Sequence, residues 1–269
     1  MKINLDSKQA IVTGSTAGIG YAIAKGLALA GANVVLNGRT RARVDEAVAR
    51  LTGELQALPG AKPSVRGVAA DLSTSAGAKA FIAEVPDADI LVNNLGIFEP
   101  KPFFEIPDED WERFFQVNVM SAVRMSRYYT PKMVERGWGR VIFLSSESGI
   151  CTPSEMVHYG MTKTALLAIS RGLAETVGAS GVTVNAVLPG PTASEGVTQF
   201  VKDLARDGKK TPEQVEQEFF ATTRPTTLIK RFETVEEIAN MVVFVASKEA
   251  SAVTGTAVRV DGGTVRSVF

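Results

Sequence analysis

One cysteine and one histidine are all that the 269 residues carry. Cys151 alone excludes an intrachain disulfide, and no cluster of histidine and cysteine suggests a catalytic metal. Neither sign of charge is in excess. The 29 basic residues match the 29 acidic ones, so nothing points to nucleic acid or to an anionic membrane. No apolar run reaches the roughly 18 residues that a membrane span needs. The opening stretch MKINLDSKQ lacks the apolar core of a secretion signal, which leads us to expect a cytoplasmic protein. Repeats, low-complexity tracts and Pro/Ser-rich linkers are missing too. We therefore expect one domain over residues 1–269, within the size range of a single α/β sheet.

What is present is an alternation. Short apolar runs at Ala10–Thr13, Asn33–Leu36, Val65–Ala70, Ile90–Val92, Arg140–Leu144, Val182–Leu188 and Ala257–Val260 read as buried strands. Helical stretches follow several of them: Tyr21–Ala30, stopped by Gly31; Arg41–Leu58, with Val44, Val48, Leu51 and Leu55 as its stripe; about Asp108–Arg136; Tyr159 to about Val177; and Val235–Ala246. Strands alternating with helices predict a parallel sheet covered on both faces. The long excursion 193–232 shows no strand. It holds one short amphipathic helix at Thr211–Phe220 and reads as a lid or substrate loop.

The first strand runs into TGSTAGIG at Thr13–Gly20. A strand, a glycine turn and a helix aim backbone N–H groups and a helix N-terminus at a phosphate. Gly14, Gly18 and Gly20 permit the tight turn; the alternative is an ordinary turn. The second strand ends in Asn37, Gly38, Arg39 and Thr40. A dinucleotide fold that prefers NAD usually carries an acid here for the ribose hydroxyls. None is present, and Arg39 can instead pair with a 2′-phosphate, or stand solvated beside Arg41 and Arg43. The third strand ends in Asp71-Leu72, where a carboxylate can accept from an adenine amino group or cap the next helix. The fourth ends in Asn93, Asn94, Leu95 and Gly96, at the strand ends where open parallel sheets bind ligands.

The chemistry concentrates between Ser146 and Lys163. Tyr159 and Lys163 stand four apart on a helix and so share a face. Ser146 ends the fifth strand. A strand end and the start of the next helix can bring it within reach of the tyrosine. A phenol is a poor base at neutral pH, but a nearby ammonium favours phenolate and makes it a usable acid or base. Asn118 falls on the apolar stripe of the helix around Trp111, Phe115, Ala122, Met125 and Tyr129. A buried amide needs partners, so Asn118 is either a satisfied core residue or holds a water or a kink near the site. His158 is turned about 100° from Tyr159 and reads as packing or surface. Cys151 reads as a wall or core residue, with no base placed to activate it.

Taken together, TGSTAGIG, Asp71-Leu72, NNLG, Asn118, Ser146, YGMTK, PGPT (Pro189–Thr192) and the terminal VDGG resemble the short-chain dehydrogenase/reductase family over nearly the whole chain. The resemblance implies a doubly wound Rossmann fold with a seven-stranded parallel sheet. It implies Tyr159 as general acid/base and Ser146 as the hydrogen-bond partner of the substrate oxygen. Lys163 would lower the tyrosine's pKa and bind the nicotinamide ribose, and Asn118 would support a proton-relay water. Gly14, Ser15, Thr16, Gly18, Ile19 and Gly20 would hold the pyrophosphate end of the cofactor, with Arg39 and Thr40 at the adenosine ribose. Asp71 and Leu72 would meet the adenine; Asn93, Asn94 and Gly96 the adenosine ribose; Pro189, Gly190 and Thr192 the nicotinamide.

Two departures stand out: Leu95 where the family usually has alanine, and Ala17 where NADP-preferring members often have a basic residue. The expected cofactor is NADP(H), with NAD as the alternative. The expected reaction interconverts a small-molecule carbonyl and a secondary alcohol. An NAD-dependent alcohol or sugar dehydrogenase, a 3-oxoacyl-thioester reductase and a nucleotide-binding scaffold without chemistry are the rivals. A homotetramer is the assembly implied, or a homodimer. Phe98, Cys151, Met156 and Val157 are expected near the pocket. Phe200, Phe219 and Phe220 either line it or pack the excursion against the body.

Overall fold

The apolar runs become seven parallel strands of one sheet, ordered β3-β2-β1-β4-β5-β6-β7. The computed structural model describes residues 3–57, 63–208 and 210–268, the side chains at 200 and 204 excepted. In chain order the elements are β1 (Gln9–Val12), α1 (Gly18–Leu29), β2 (Asn33–Gly38), α2 (Arg41–Gln56), β3 (Val65–Ala69), α3 (Ser75–Glu84), β4 (Ile90–Asn93), α4 (Asp108–Phe114), α5 (Ser121–Glu135), β5 (Gly139–Leu144), α6 (Val157–Thr176), β6 (Val182–Pro189), α7 (Glu195–Asp207), α8 (Pro212–Thr222), α9 (Val235–Val245) and β7 (Ala257–Val260). The expected helix end at Leu58 and the side chain of Phe200 lie outside the described residues.

The sheet is buried on both faces. Val12, Val34, Leu36, Ile90 and Val92 join one apolar cluster, which α1 and α9 cover. Ile11, Val35, Leu91, Val141 and Phe143 join the other, under α5 and α6. Consecutive strand residues point to opposite faces, which is why the central strands read as unbroken apolar runs rather than alternating ones. Each buried Leu, Ile or Val contributes roughly 1.5–3 kcal/mol.

Two departures from the expected elements matter for the site. The helix predicted over about Asp108–Arg136 is interrupted by a π-helical turn at Phe115–Met120, and Asn118 sits in it. The excursion 193–232 contains a helix, α7, that the sequence reading did not expect, as well as the expected α8, which begins on a Thr211/Gln214 capping box. No described helix is long and apolar enough to cross a membrane.

Candidate active site

The carboxyl ends of the strands open onto a cavity of about 630 Å³. In a parallel sheet this edge is where loops diverge and leave a crevice. One side of the cavity is the start of α1. Gly14 and Gly18 take positive φ of 61° and 56°, conformations open to glycine at little cost. Gly20 has no room for a Cβ: one would lie 2.4 Å from Asn94 Nδ2 and 2.5 Å from the Gly14 carbonyl. Asn94 in turn ties the turn down by donating to the carbonyls of Thr13 and Gly14, both at 2.9 Å. The helix N-cap is Ala17, which has no side chain to cap with, and the first turn holds no acid. The first N–H groups of α1 therefore face the cavity beside Ala17, Gly18, Ile19 and Gly20, a positive helix end open to an anion.

The opposite wall carries the reacting groups. Ser146, Tyr159 and Lys163 all line the cavity, with Pro189, Gly190 and Thr192 along its rim and Asn94 and Gly96 beside them. Lys163 is buried and donates to the Leu144 carbonyl at 2.8 Å. Its Nζ is 5.5 Å from the centre of the Tyr159 ring, as the four-residue spacing requires. Asn118 is held away from solvent. Its Oδ1 accepts from the Ile97 amide at 2.8 Å, and its Nδ2 donates to the Ile97 carbonyl and to Thr162 Oγ1, both at 3.0 Å. The π turn rotates this residue onto the loop after β4. Such single-turn insertions often mark functional sites.

The electrostatics differ from the expectation in one respect. Burial, with the Glu147 carboxylate, pushes the Tyr159 phenol above its ordinary value; a hydrogen bond with Ser146 and the Arg224 guanidinium pull less strongly the other way. Burial also pulls Lys163 down to about 8. Lys163 does not offset the burial of the phenol here. The low-dielectric wall penalises both charges, so the phenol holds its proton more firmly than a free tyrosine does.

The other sequence candidates divide. Ser15 is fully buried, donating to the Val12 carbonyl and accepting from the Asn37 amide; it braces the turn. Asn93 points inward to Ser126 Oγ at 3.0 Å, and Leu72 is 1% exposed in the core, so neither brings a side chain to the cavity. Asp71 accepts from the Ser73 amide and hydroxyl, a local turn ahead of α3, whose cap is Thr74 rather than Asp71. Gly14, Thr16, Arg39 and Thr40 lie outside the cavity lining, at the α1 turn and the end of β2. Arg39 is exposed, and among the described residues it makes no ion pair. Gly38 is closed to an acid unless Thr16 moves, because a Cβ there would meet Thr16 Cγ2 at 2.6 Å. Leu95 packs over Gly14 while its amide donates to Thr13 Oγ1 at 3.0 Å, so its bulk leaves the strand end tied.

Phe98 and Met156 line the cavity. Cys151 is exposed and, like Val157, lies off it. Phe219 lines it while Phe220 is buried; Phe219 stacks on Phe232 at a ring distance of 5.1 Å and Phe220 meets the same ring edge-on at 5.0 Å. His158 is fully buried against Phe114, with ring centres 4.0 Å apart, the packing role expected of it. Sequence reasoning missed Glu147, Glu155 and Arg224, which also line the cavity. Arg224 carries no local signal; Glu147 was legible only as the residue after Ser146.

A family model described as enoyl-(acyl carrier protein) reductase matches residues 14–265. The chain is 47% identical over 269 residues to an uncharacterized oxidoreductase, YvaG, of Bacillus subtilis (strain 168), covering 100% of both. It is 36% identical to a D-beta-hydroxybutyrate dehydrogenase of Rhizobium meliloti (strain 1021), covering 96% of this chain and 98% of that one. Among solved structures, L-sorbose reductase from Gluconobacter frateurii, complexed with NADPH and L-sorbose, superposes with a TM-score of 0.91 at 33% identity over 100% of both chains.

Proposed function

The chain belongs to the short-chain dehydrogenase/reductase family, and from that premise we propose that it is an NADP(H)-dependent reductase acting on a small-molecule carbonyl. It is an oxidoreductase that interconverts carbonyl and alcohol groups. The observation that carries this reading is Ser146, Tyr159 and Lys163 on one wall of the cavity, facing the open end of α1; the likeness to an NADPH-complexed reductase supports the reductive direction. Reduction needs a proton donor at the carbonyl oxygen, and oxidation returns that proton along the same path.

The residues fit a dinucleotide. The open helix end of α1 suits the pyrophosphate, and Arg39, without an ion pair among the described residues, suits a 2′-phosphate together with the acid-free Gly38. Asn94 and Gly96 border the ribose region, and Pro189, Gly190 and Thr192 the nicotinamide end. When bound, the nicotinamide supplies the hydride. Ser146 donates to the carbonyl oxygen and orients it. Tyr159 passes its phenolic proton to that oxygen. Lys163 holds the ribose hydroxyls, and Asn118 fixes the loop at Ile97 so that Gly96 and Lys163 keep their places. One domain over 1–269, with 193–232 as its lid, is the organisation we infer, supported by the cavity lining from α7 and α8. A cytoplasmic homotetramer completes the reading, with a homodimer as the alternative. Exposed Phe103 and Phe104 support association, and light scattering of the purified protein measures it.

The test is a fluorescence titration of cofactor-free protein with NADPH and NADH, followed by turnover of a ketone and aldehyde panel by wild type and Tyr159→Phe. The variant is expected to bind NADPH as wild type does and to lose turnover by about 10³-fold or more. Retained turnover in that variant would remove Tyr159 from the mechanism, and no binding of either cofactor at millimolar concentration would bring the scaffold reading forward.

A further inference from the structure

The cavity holds a group that proton transfer to a simple ketone does not use. Glu147, 6% exposed, follows Ser146 in the chain and lines the same wall. Its Oε2 accepts from the Ser146 hydroxyl. Its Oε1 lies 3.5 Å from Nε of Arg224, which also meets Glu155 at 2.9 Å. A nearly buried carboxylate is costly unless it is paired and hydrogen-bonded. This one spends half its bonding on the very hydroxyl that must serve the substrate.

A serine hydroxyl has one hydrogen. While that hydrogen rests on Glu147, it is not available to a substrate carbonyl. Ser146 Oγ meanwhile accepts from the Ser148 amide at 3.1 Å and stands within hydrogen-bond reach of the Tyr159 phenol, so its position is fixed and only its hydrogen can turn. Glu147 releases that hydrogen once another donor satisfies Oε2. Arg224 sits on the other oxygen and is already shared with Glu155. The substrate itself can supply the donor if it carries a hydroxyl next to the reacting carbonyl. With the carbonyl oxygen at Ser146, a vicinal hydroxyl falls beside Glu147, because Ser146 Oγ and Glu147 Oε2 are themselves in contact. A carboxylate in that place would instead meet two glutamates sharing one guanidinium.

We propose that Glu147 is a specificity-determining residue that accepts the hydroxyl adjacent to the substrate carbonyl and thereby frees the Ser146 hydrogen for the carbonyl oxygen. The substrate class is then the α-hydroxy ketones and aldehydes. This rests on the carbonyl-reduction reading above.

The experiment compares kcat/KM for acetoin and butanone, which differ by one hydroxyl, in wild type, Glu147→Ala and Glu147→Gln. The alanine variant also reports the intrinsic reactivity difference between the two ketones. We expect the wild-type preference for acetoin to exceed the Glu147→Ala preference by about 10²-fold. Acetoin turnover should fall in the variant while butanone turnover rises. Opposite movement of two substrates in one variant is not what a folding defect produces. Glu147→Gln keeps one acceptor oxygen and the side-chain shape, and should lose about tenfold of the preference, which reads the same effect should the alanine variant fail to fold. Equal acetoin-to-butanone ratios in wild type and both variants would overturn the proposal, as would reduction of acetoacetate faster than acetoin. Turnover of none of the three ketones by wild type with either cofactor would overturn the carbonyl-reduction reading and this inference with it. Turnover retained in Tyr159→Phe alongside a Glu147-dependent ratio would overturn the proton-transfer reading alone.

Discussion

Replacing Arg39 by glutamine removes a cation that no carboxylate among the described residues claims. The side chain is exposed at the end of β2, so its charge is not already spent on an internal partner. A guanidinium about 4 Å from a unit charge gains about 1 kcal/mol in bulk water and about 4 kcal/mol at an effective dielectric near 20. Exposure places Arg39 toward the lower end. Hydrogen bonds to charged groups contribute about 1.5–3 kcal/mol, which corresponds to roughly 10- to 150-fold in Kd. The assay is fluorescence titration of wild type and Arg39→Gln with NADPH and with NADH, at low and at high salt. NADPH should weaken by that factor, and NADH should change by less than about twofold, since it carries no 2′-phosphate. Salt should weaken NADPH binding more in wild type than in the variant, because screening acts on the charge that the variant lacks. A change in NADPH affinity below about threefold, or an equal loss for NADH, would refute the assignment of Arg39 to the phosphate.

Three further outcomes are expected. Glu233 is 2% exposed, accepts from the Gly190 amide with one oxygen, and is pushed by burial up to about 8. Unfolded, it titrates near about 4.3, so wild-type stability falls as pH rises through that window. Glu233→Gln should gain on wild type by about 4 kcal/mol between pH 5 and 8.5 in urea unfolding, and a constant difference would refute the buried-acid account. Among the described residues, neither ring nitrogen of His158 has a hydrogen-bond partner in the buried aromatic packing. His158→Leu should therefore be neutral or stabilising by up to about 1 kcal/mol; a loss above about 2 kcal/mol would reveal an imidazole bond. In oxidation of the product alcohol, the rate should climb with pH well beyond neutrality, because Tyr159 must first lose a proton that burial and Glu147 retain. A flat profile between pH 7 and 10 would remove Tyr159 as the base.

Much of this molecule is legible in short stretches of chain. β7 has the same bounds in the sequence reading and in the structure, and α8 starts one residue after the expected Thr211, which caps it. Strands here are legible as short unbroken apolar runs and helices as stripes of period 3.6, both of them local patterns. The Tyr159–Lys163 pair is equally local, being one helical turn, and so is the glycine turn, whose backbone angles need glycine. α7 is a partial exception: Val197, Phe200, Val201 and Leu204 are spaced for a helix, but Gly196, Val197 and Thr198 are poor helix formers. The tertiary structure alone decided the rest. It inserted the π turn that aims Asn118 at Ile97, turned Asn93 into the core, and set Arg224 against Glu147 across a long stretch of chain. It also reversed the expected direction of the Tyr159 shift. A side chain's charge state depends on how much water is excluded and which charges stand nearby in space, and no pattern of neighbours along the chain carries either quantity.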